Sequence, residues 1–406
     1  MTSRLSNTFV LFTVVIDAMG IGLMMPIMPD LIREIEGGDI AGAAIWGGVL
    51  ATVFATMLFL FGPLVGSLSD RFGRRPVLLT ALIAMGCAKL LMALAGTIWM
   101  LLAGRIVAGV AAATQSTASA YMADISHPDE KAKNFGRIGA AFGVGFVFGP
   151  ALGGALAEFG TRAPFYAAAF LAFSNALLGL FVMQETVDQS RRRRFEWRRA
   201  NPLGALIAMS RLKGLKELLW VFFLYQVALA VYPATWSFFT AERYGWSPQT
   251  IGISLAFFGL TYALVQGTLV QPSIKQFGHR GTVMLGLLLE VGVLVILSLI
   301  TVGWIALIFT PMAAVAAIGH PAIQGIMSRK IPDDAQGELQ GVLASLGAIS
   351  MIVAPIAMTR VFAHFSGPGA PVYFPGAAFL LAAALMLIAT VVFLLRPRGN
   401  VAARSN

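Results

Sequence analysis

The sequence predicts an all-α integral membrane protein with twelve transmembrane helices in two pseudosymmetric six-helix bundles. Of its 406 residues 58% are hydrophobic and 12% charged, and the mean hydropathy is +0.79, which exceeds the roughly 45–50% apolar content of soluble domains. The apolar residues come in runs, such as Thr8 to Met28 and Val77 to Leu94, that approach or reach the roughly 20 residues needed to cross a bilayer as helix. The chain also repeats itself. Shifted by 205 residues, Gly73 falls on Gly278, Trp99 on Trp304, Asp129 on Asp334, Gly136 on Gly341 and Pro150 on Pro355, and such register through several segments marks two related halves.

In order, the hydrophobic spans fall at about 8–31, 44–68, 76–96, 98–122, 133–158 and 164–184, then 216–240, 248–272, 281–301, 303–327, 337–362 and 372–396. The segment before the first span carries only Arg4, and that span holds Asp17 and no cleavage site, so it reads as a helix and not a signal peptide. Residues 185–215, with "RRRRFEWRRANP" at Arg191 to Pro202, separate an N-terminal bundle (1–184) from a C-terminal bundle (216–406). Twelve crossings return the chain to its starting side. Arg33, Arg162 and Arg243 lie in the odd-numbered loops and Lys89, Arg105 and Arg360 inside spans, while the other basic residues gather at the termini and even-numbered loops. The positive-inside rule then places both termini and the central loop in the cytoplasm. The same distribution explains the net charge of +10 without nucleic acid. Cys87 is the sole cysteine and lies in an apolar run, which excludes an internal disulfide and a cysteine metal cluster and suggests a small packing residue.

Three stretches carry more than hydrophobicity. "GSLSDRFGRRPVLL", Gly66 to Leu79, packs Asp70, Arg71, Arg74 and Arg75 into the link between the second and third spans, with Gly66 and Gly73 allowing a tight turn. In the fourth span Arg105 is followed by Gly109 and a run of small residues. In the fifth, "GVGFVFGPALGGAL" repeats Gly145, Gly149 and Gly153 on one helix face, beside Pro150 and Gly154, a pattern for close helix packing with a proline bend.

These stretches resemble the signatures of the major facilitator superfamily. "DAMGIGLMMPIMPDL", "ERYGWSPQTIGISLA", "PAIQGIMSRK" and "QGELQGVLASL" further resemble its tetracycline efflux pumps, across nearly the whole chain. The resemblance implies an exporter of amphipathic drugs, driven by proton antiport through alternating access in a bacterial inner membrane, which functions as a monomer. It implies no cofactor, with the proton as coupling ion and a divalent metal entering only as part of a chelated substrate. It implies that the charged link (Gly66, Asp70, Arg71, Gly73, Arg74, Arg75) is a gate latching opposite halves, that the fifth-span motif marks antiporters, and that Arg105 takes part in proton coupling.

Intramembrane charges are costly and need a partner or a purpose. Asp17 and Glu290 match acidic positions of the tetracycline pumps and are the expected proton-coupling groups, the alternative for Asp17 being an ion pair with Lys89 or Arg105. The expected cavity comprises Asp17, Met24, Phe54, Lys89, Gln115, Phe142, Tyr232, Trp236, Tyr262, Gln266 and Glu290. Methionines and aromatics suit varied ligands, and Tyr225 and Asn175 are further candidates. Ala88 and Lys89 replace an acid that the tetracycline pumps carry in the third helix, which points to a neutral or anionic drug, or a native metabolite, as the alternative substrate. The fifth-span motif argues against a symporter. No metal site and no enzymatic constellation is expected: His127, His279, His320 and His364 are scattered and neither HExxH nor GxSxG occurs.

Overall fold

A computed structural model describes residues 2–112, 114–127, 130–186, 212, 214–332 and 335–395. The repeat partners Asp129 and Asp334 and most of the central loop lie outside them. Among the described residues the chain forms sixteen α-helices and no strand. α1 (Thr2–Met24) and α2 (Met28–Glu36) make the first crossing, α3 (Ile40–Phe72) the second and α4 (Arg74–Ala93) the third. α5 (Ile98–Ala111) and α6 (Thr114–Ile125) share the fourth, followed by α7 (Lys131–Leu156) and α8 (Ala163–Val182). α9 (Lys216–Leu229) and α10 (Val231–Tyr244) form the seventh, α11 (Pro248–Thr268) the eighth, and α12 (Val270–Leu299) a link and the ninth. α13 (Gly303–Ala316) and α14 (Gly319–Ser328) share the tenth, and α15 (Gln336–Ser366) and α16 (Ala377–Leu395) complete the set. Eleven stretches are long and apolar enough to span a membrane among the described residues. The divided fourth crossing is the twelfth.

Hydrophobicity suggested unbroken spans, yet the first, fourth, seventh and tenth are each split. The breaks obey the repeat: Met25 plus 205 is Ala230, and Ala112 plus 205 is Ala317. Ala112, Ala230 and Ala317 have nearly the same backbone, with φ of −66°, −64° and −67° and ψ of −6°, −11° and −1°. A ψ near zero, in place of about −42°, redirects the next amide and interrupts the ladder, with Pro233 just beyond the break at Ala230 and Gly319 and Pro321 just beyond that at Ala317. Other local signals also recur. Asp39 and Ser247 cap the second helix of each half by accepting from the amides of Gly42 and Thr250, and Gly73 and Gly278 take positive φ (106° and 67°) at matching links, where a side chain would be strained.

Within the first half α1 packs on α7 and α8, and α4 on α5 and α8; within the second, α12 packs on α14 and α16, and α9 on α15 and α16. The halves meet chiefly through α3 with α15 and α7 with α11. These contacts lie toward the side opposite the termini. Thr52 donates to the Ile352 carbonyl at 2.8 Å, Gly48 abuts Thr359 and Pro355, Gly47 abuts Phe238, and Gly154 abuts Pro248 and Gln249. Toward the terminal side of the same helices, Gly62, Gly66, Gly136, Gly139, Gly143 and Gly267 have nothing within 4 Å of where a Cβ would stand. The protein is closed on the far side and splayed open on the terminal side.

Candidate transport site

In the first half, α1 presents Asp17 and α4 presents Lys89, which is 2% exposed and is the charged neighbour of Asp17. Gly20, one turn along α1, makes this possible: a Cβ there would fall on the Lys89 ammonium. Lysine of this length can reach the opposing helix only because that helix offers a notch. Arg105 stands apart, its guanidinium 5.9 Å over the Phe54 ring and its buried Nε without a partner. Beside it, Gly109 presses on the Phe54 carbonyl of α3.

In the second half, Glu290 of α12 is fully buried. Tyr232 donates to its Oε1 at 2.9 Å, and its Oε2 has no partner. A buried carboxylate is tolerated only when its oxygens are satisfied or have work to do. Tyr232 lies on the wall of a cavity of about 110 Å³ whose lining runs from Met25 and Phe146 of the first half to Trp236, Phe258 and Leu297 of the second. Trp236 is oriented there by donating Nε1 to Ser254 Oγ at 2.9 Å. The space is thus apolar and lies between the halves, and Tyr232 on its wall connects it to the buried Glu290 carboxylate behind.

The fifth-span motif works by backbone contact. A Cβ on Gly145, Gly149 or Gly153 would run into α1 at Val15, Met19 or Leu23, whereas Gly154 faces α11 and Pro150 touches both, its ring against Gly22 of α1 and its carbonyl against Gly252 of α11. α7 runs unbroken through Pro150. It is a wedge with one face for each half.

With the terminal side open, the charged link makes its contacts on its own side of the gap. Arg74 binds Asp70 at 2.6 Å and Asp124 at 3.1 Å and donates to Ser69, while its amide and that of Arg75 donate to the Glu185 carboxylate. Arg75 also caps α8 through the Leu180 carbonyl at 2.7 Å. All of these partners belong to the first half except Glu185, which opens the central loop. The physical reason is the open terminal side, which holds the second half away from the link. In the other half Arg280, 205 residues on, likewise donates to a terminal carbonyl, that of Leu394.

A model of the Major Facilitator Superfamily matches residues 10–240 and 218–405. The chain belongs to the major facilitator superfamily. It is 40% identical over 388 residues to the class C tetracycline resistance protein of Escherichia coli, covering 96% of each, and 34% identical to the class B protein of the same organism, covering 88% of this chain and 89% of that one. Among solved structures it resembles a bacterial homologue of the human lysosomal transporter Spinster in an inward-facing, unoccupied conformation (TM-score 0.80, 15% identity, 97% and 96% covered). It also resembles the human organic anion transporter MFSD10 (TM-score 0.69, 24% identity, 97% and 100% covered). The chain is therefore a transporter and not an enzyme.

Within this major facilitator fold the expected site residues fall into separate groups. Asp17 and Lys89 meet in one half; Glu290, Tyr232 and Trp236 meet in the other. Tyr262 stacks on Phe258 and Gln266 has an unpaired buried Nε2. Met24 belongs to the core, and Phe142 packs on Phe146 and on the core of the first half. The Gln115 side chain lies outside the described atoms. Asn175 and Thr13 satisfy each other, which accounts for Asn175 as packing. Cys87 is exposed on the helix surface instead of packed. Composition gave no sign that His320 lies in the core, sandwiched against Phe222 and Tyr225 at 5.5 and 5.7 Å, or that Gly20 receives Lys89. For Gly20 the only signal was a small residue one helical turn from an intramembrane acid.

Proposed function

We propose that this transporter exports amphipathic, tetracycline-like drugs from the cytoplasm in exchange for protons. One observation carries the proposal: a fully buried carboxylate, Glu290, with one oxygen unpaired and the other held by Tyr232, a residue that lines an apolar cavity between the halves. In a chain so similar to tetracycline resistance proteins, that carboxylate is the group to exchange a proton for a substrate. Asp17 is the second coupling group and Arg105 an accessory to it. The 1–184 and 216–406 bundles rock about the far-side contacts, joined by the 185–215 loop. Both termini and the open side face the cytoplasm, where the basic loops belong, and the charged link closes on the other half when that side shuts. A single chain holds the whole path, and a divalent metal enters only as part of a chelated substrate.

A second substrate class is favoured by Lys89, whose buried ammonium already supplies a cation beside Asp17. That disfavours a cationic chelate and favours neutral or anionic drugs or a metabolite. The deciding experiment is accumulation of magnesium-tetracycline in inverted vesicles under an imposed pH gradient, with Asp17→Asn, Glu290→Gln and empty membranes alongside. Gradient-dependent uptake lost in the variants is expected. Uptake that persists in both variants refutes the coupling assignment, and none in the parent moves the substrate to the second class.

A further inference from the structure

The two tyrosines around Glu290 sit on opposite sides of the break at Ala230. Tyr232, in the first turn of α10, donates to Oε1 at 2.9 Å. Tyr225, in the last turns of α9, is fully buried and its hydroxyl has no partner, as Glu290 Oε2 has none. The two side chains lie within each other's electrostatic reach. A carboxylate accepts only, and a phenol can donate or accept, so the free hydroxyl and the free oxygen are complementary.

We propose that Tyr232 clamps Glu290 and keeps the far side shut while the carboxylate is charged and unoccupied, with Tyr225 poised to accept from the protonated acid and release it, so that the empty protein does not switch sides. The inference rests on the reading of Glu290 as a coupling carboxylate. α10 is the element that transmits it, because six residues beyond Tyr232 its Phe238 fills the place a Gly47 side chain would take on α3. Bonds from hydroxyl to carboxylate are charge-assisted and roughly twice as strong as neutral ones. When a proton binds Oε2, that oxygen becomes a donor, the Tyr225 hydroxyl turns to accept from it, and Oε1 is left as an uncharged carbonyl oxygen. The Tyr232 bond then weakens and α10 is freed. A substrate group that donates to Oε2 neutralises the same charge. Either ligand releases the clamp, and the empty protein keeps it, which is what strict exchange requires.

The other groups around the clamp do not supply the missing charge. Tyr262 of α11 acts on Tyr225, His320 of α14 stacks on it, and α16 offers Phe379 against Tyr232. Among the described residues no cation faces Glu290.

The test needs no transported substrate. Spin labels are placed at Phe159 and Val372, exposed residues on the far side of the two halves, in full-length Cys87→Ala protein in lipid nanodiscs, and inter-label distances are read from pH 5 to pH 9. The parent is expected to stay closed at high pH and to gain a longer, open distance as the pH falls. Tyr232→Phe should show the open distance at high pH too, with the closed-to-open ratio lowered by roughly tenfold, as loss of one hydrogen bond to a charged group brings; Tyr225→Phe, whose hydroxyl is unbound while the far side is shut, should stay closed at high pH and open less than the parent as the pH falls. Glu290→Gln should be open at every pH. Tyrosine variants that superimpose on the parent while Glu290→Gln opens overturn the clamp and leave the coupling assignment intact. If Glu290→Gln also matches the parent, both fail.

Discussion

Replacing Gly149 with alanine tests whether α1 and α7 meet through their backbones. A Cβ at Gly149 would stand 2.7 Å from the Met19 carbonyl oxygen, 3.0 Å from Gly22 Cα and 3.1 Å from Met19 Cα. None of these atoms can rotate away, so the helices must part. With ordinary contact beginning near 3.4 Å, the retreat is 3.4 − 2.7, about 0.7 Å, and overpacking of this kind costs about 1–3 kcal/mol. Alanine also gains about 1 kcal/mol of helix propensity over glycine, which would mask part of the loss. Gly143→Ala, on the same helix with nothing within 4 Å of its Cβ, carries the same gain and cancels it. Thermal unfolding of the two purified variants by tryptophan fluorescence should therefore place Gly149→Ala below Gly143→Ala by about 1–3 kcal/mol. Equal melting temperatures would refute the backbone contact.

Gly20→Ala places a methyl on the Lys89 ammonium, which is the end of a flexible chain and can move. Folding should change by no more than about 1 kcal/mol, while competition in gradient-driven uptake shifts from anionic toward cationic compounds; Lys89→Met should do the same, and unaltered preference in both would remove Lys89 from recognition. On the far side, the Thr161 hydroxyl and then Arg162 hold the Glu34 carboxyl below its usual 4.5. A carboxyl whose folded value is depressed contributes stability present above the unfolded value and lost as pH falls through the folded one. Melting temperatures should drop more steeply in the parent than in Glu34→Gln below about pH 4.5, by a small amount because the pair is largely exposed; parallel curves would contradict the assignment. Asp70→Asn breaks the 2.6 Å contact with Arg74, far from the cavity, and should slow exchange without changing half-saturation. A fall in affinity at unchanged rate would place Asp70 at the substrate.

Twelve crossings were legible because the demand for an apolar run of bilayer length is met by composition alone, and the repeat because glycine, proline and tryptophan kept their places. The helix breaks were not. Ala112 carries no local signal, so its ψ near zero is set by the packing of the crossings, whereas Ala230 is followed by Pro233 and Ala317 by Gly319 and Pro321, breakers that a reading by hydrophobicity alone passes over. The first break has Pro26 and Pro29 beside it. Asp17, Lys89 and Glu290 were visible as charges out of place, yet which pairs with which depends on notches such as Gly20 and on the hydroxyls of Tyr225 and Tyr232. The charged link was read as a latch that releases on rocking, and its pattern carries no information about which side is open in a given state.

The glycines of α7 explain how two differently equipped halves can act as one device. The first half carries an acid with a lysine; the second carries an acid with tyrosines, beside an apolar cavity. Between them runs a helix whose contacting residues have no polar side chain at all: Gly145, Gly149 and Gly153 against α1, Gly154 against α11, and Pro150 against both. Contacts between side chains can absorb a displacement by changing rotamer, whereas backbone against backbone cannot. A shift of α1 at Asp17 must therefore reach Met19 and Gly22, pass to Gly149 and Pro150, and arrive at Gly252. Ser254, which orients Trp236 on the cavity wall, is two residues farther on. The fifth crossing transmits position and not charge, and that is why it is built from residues that have nothing else to offer.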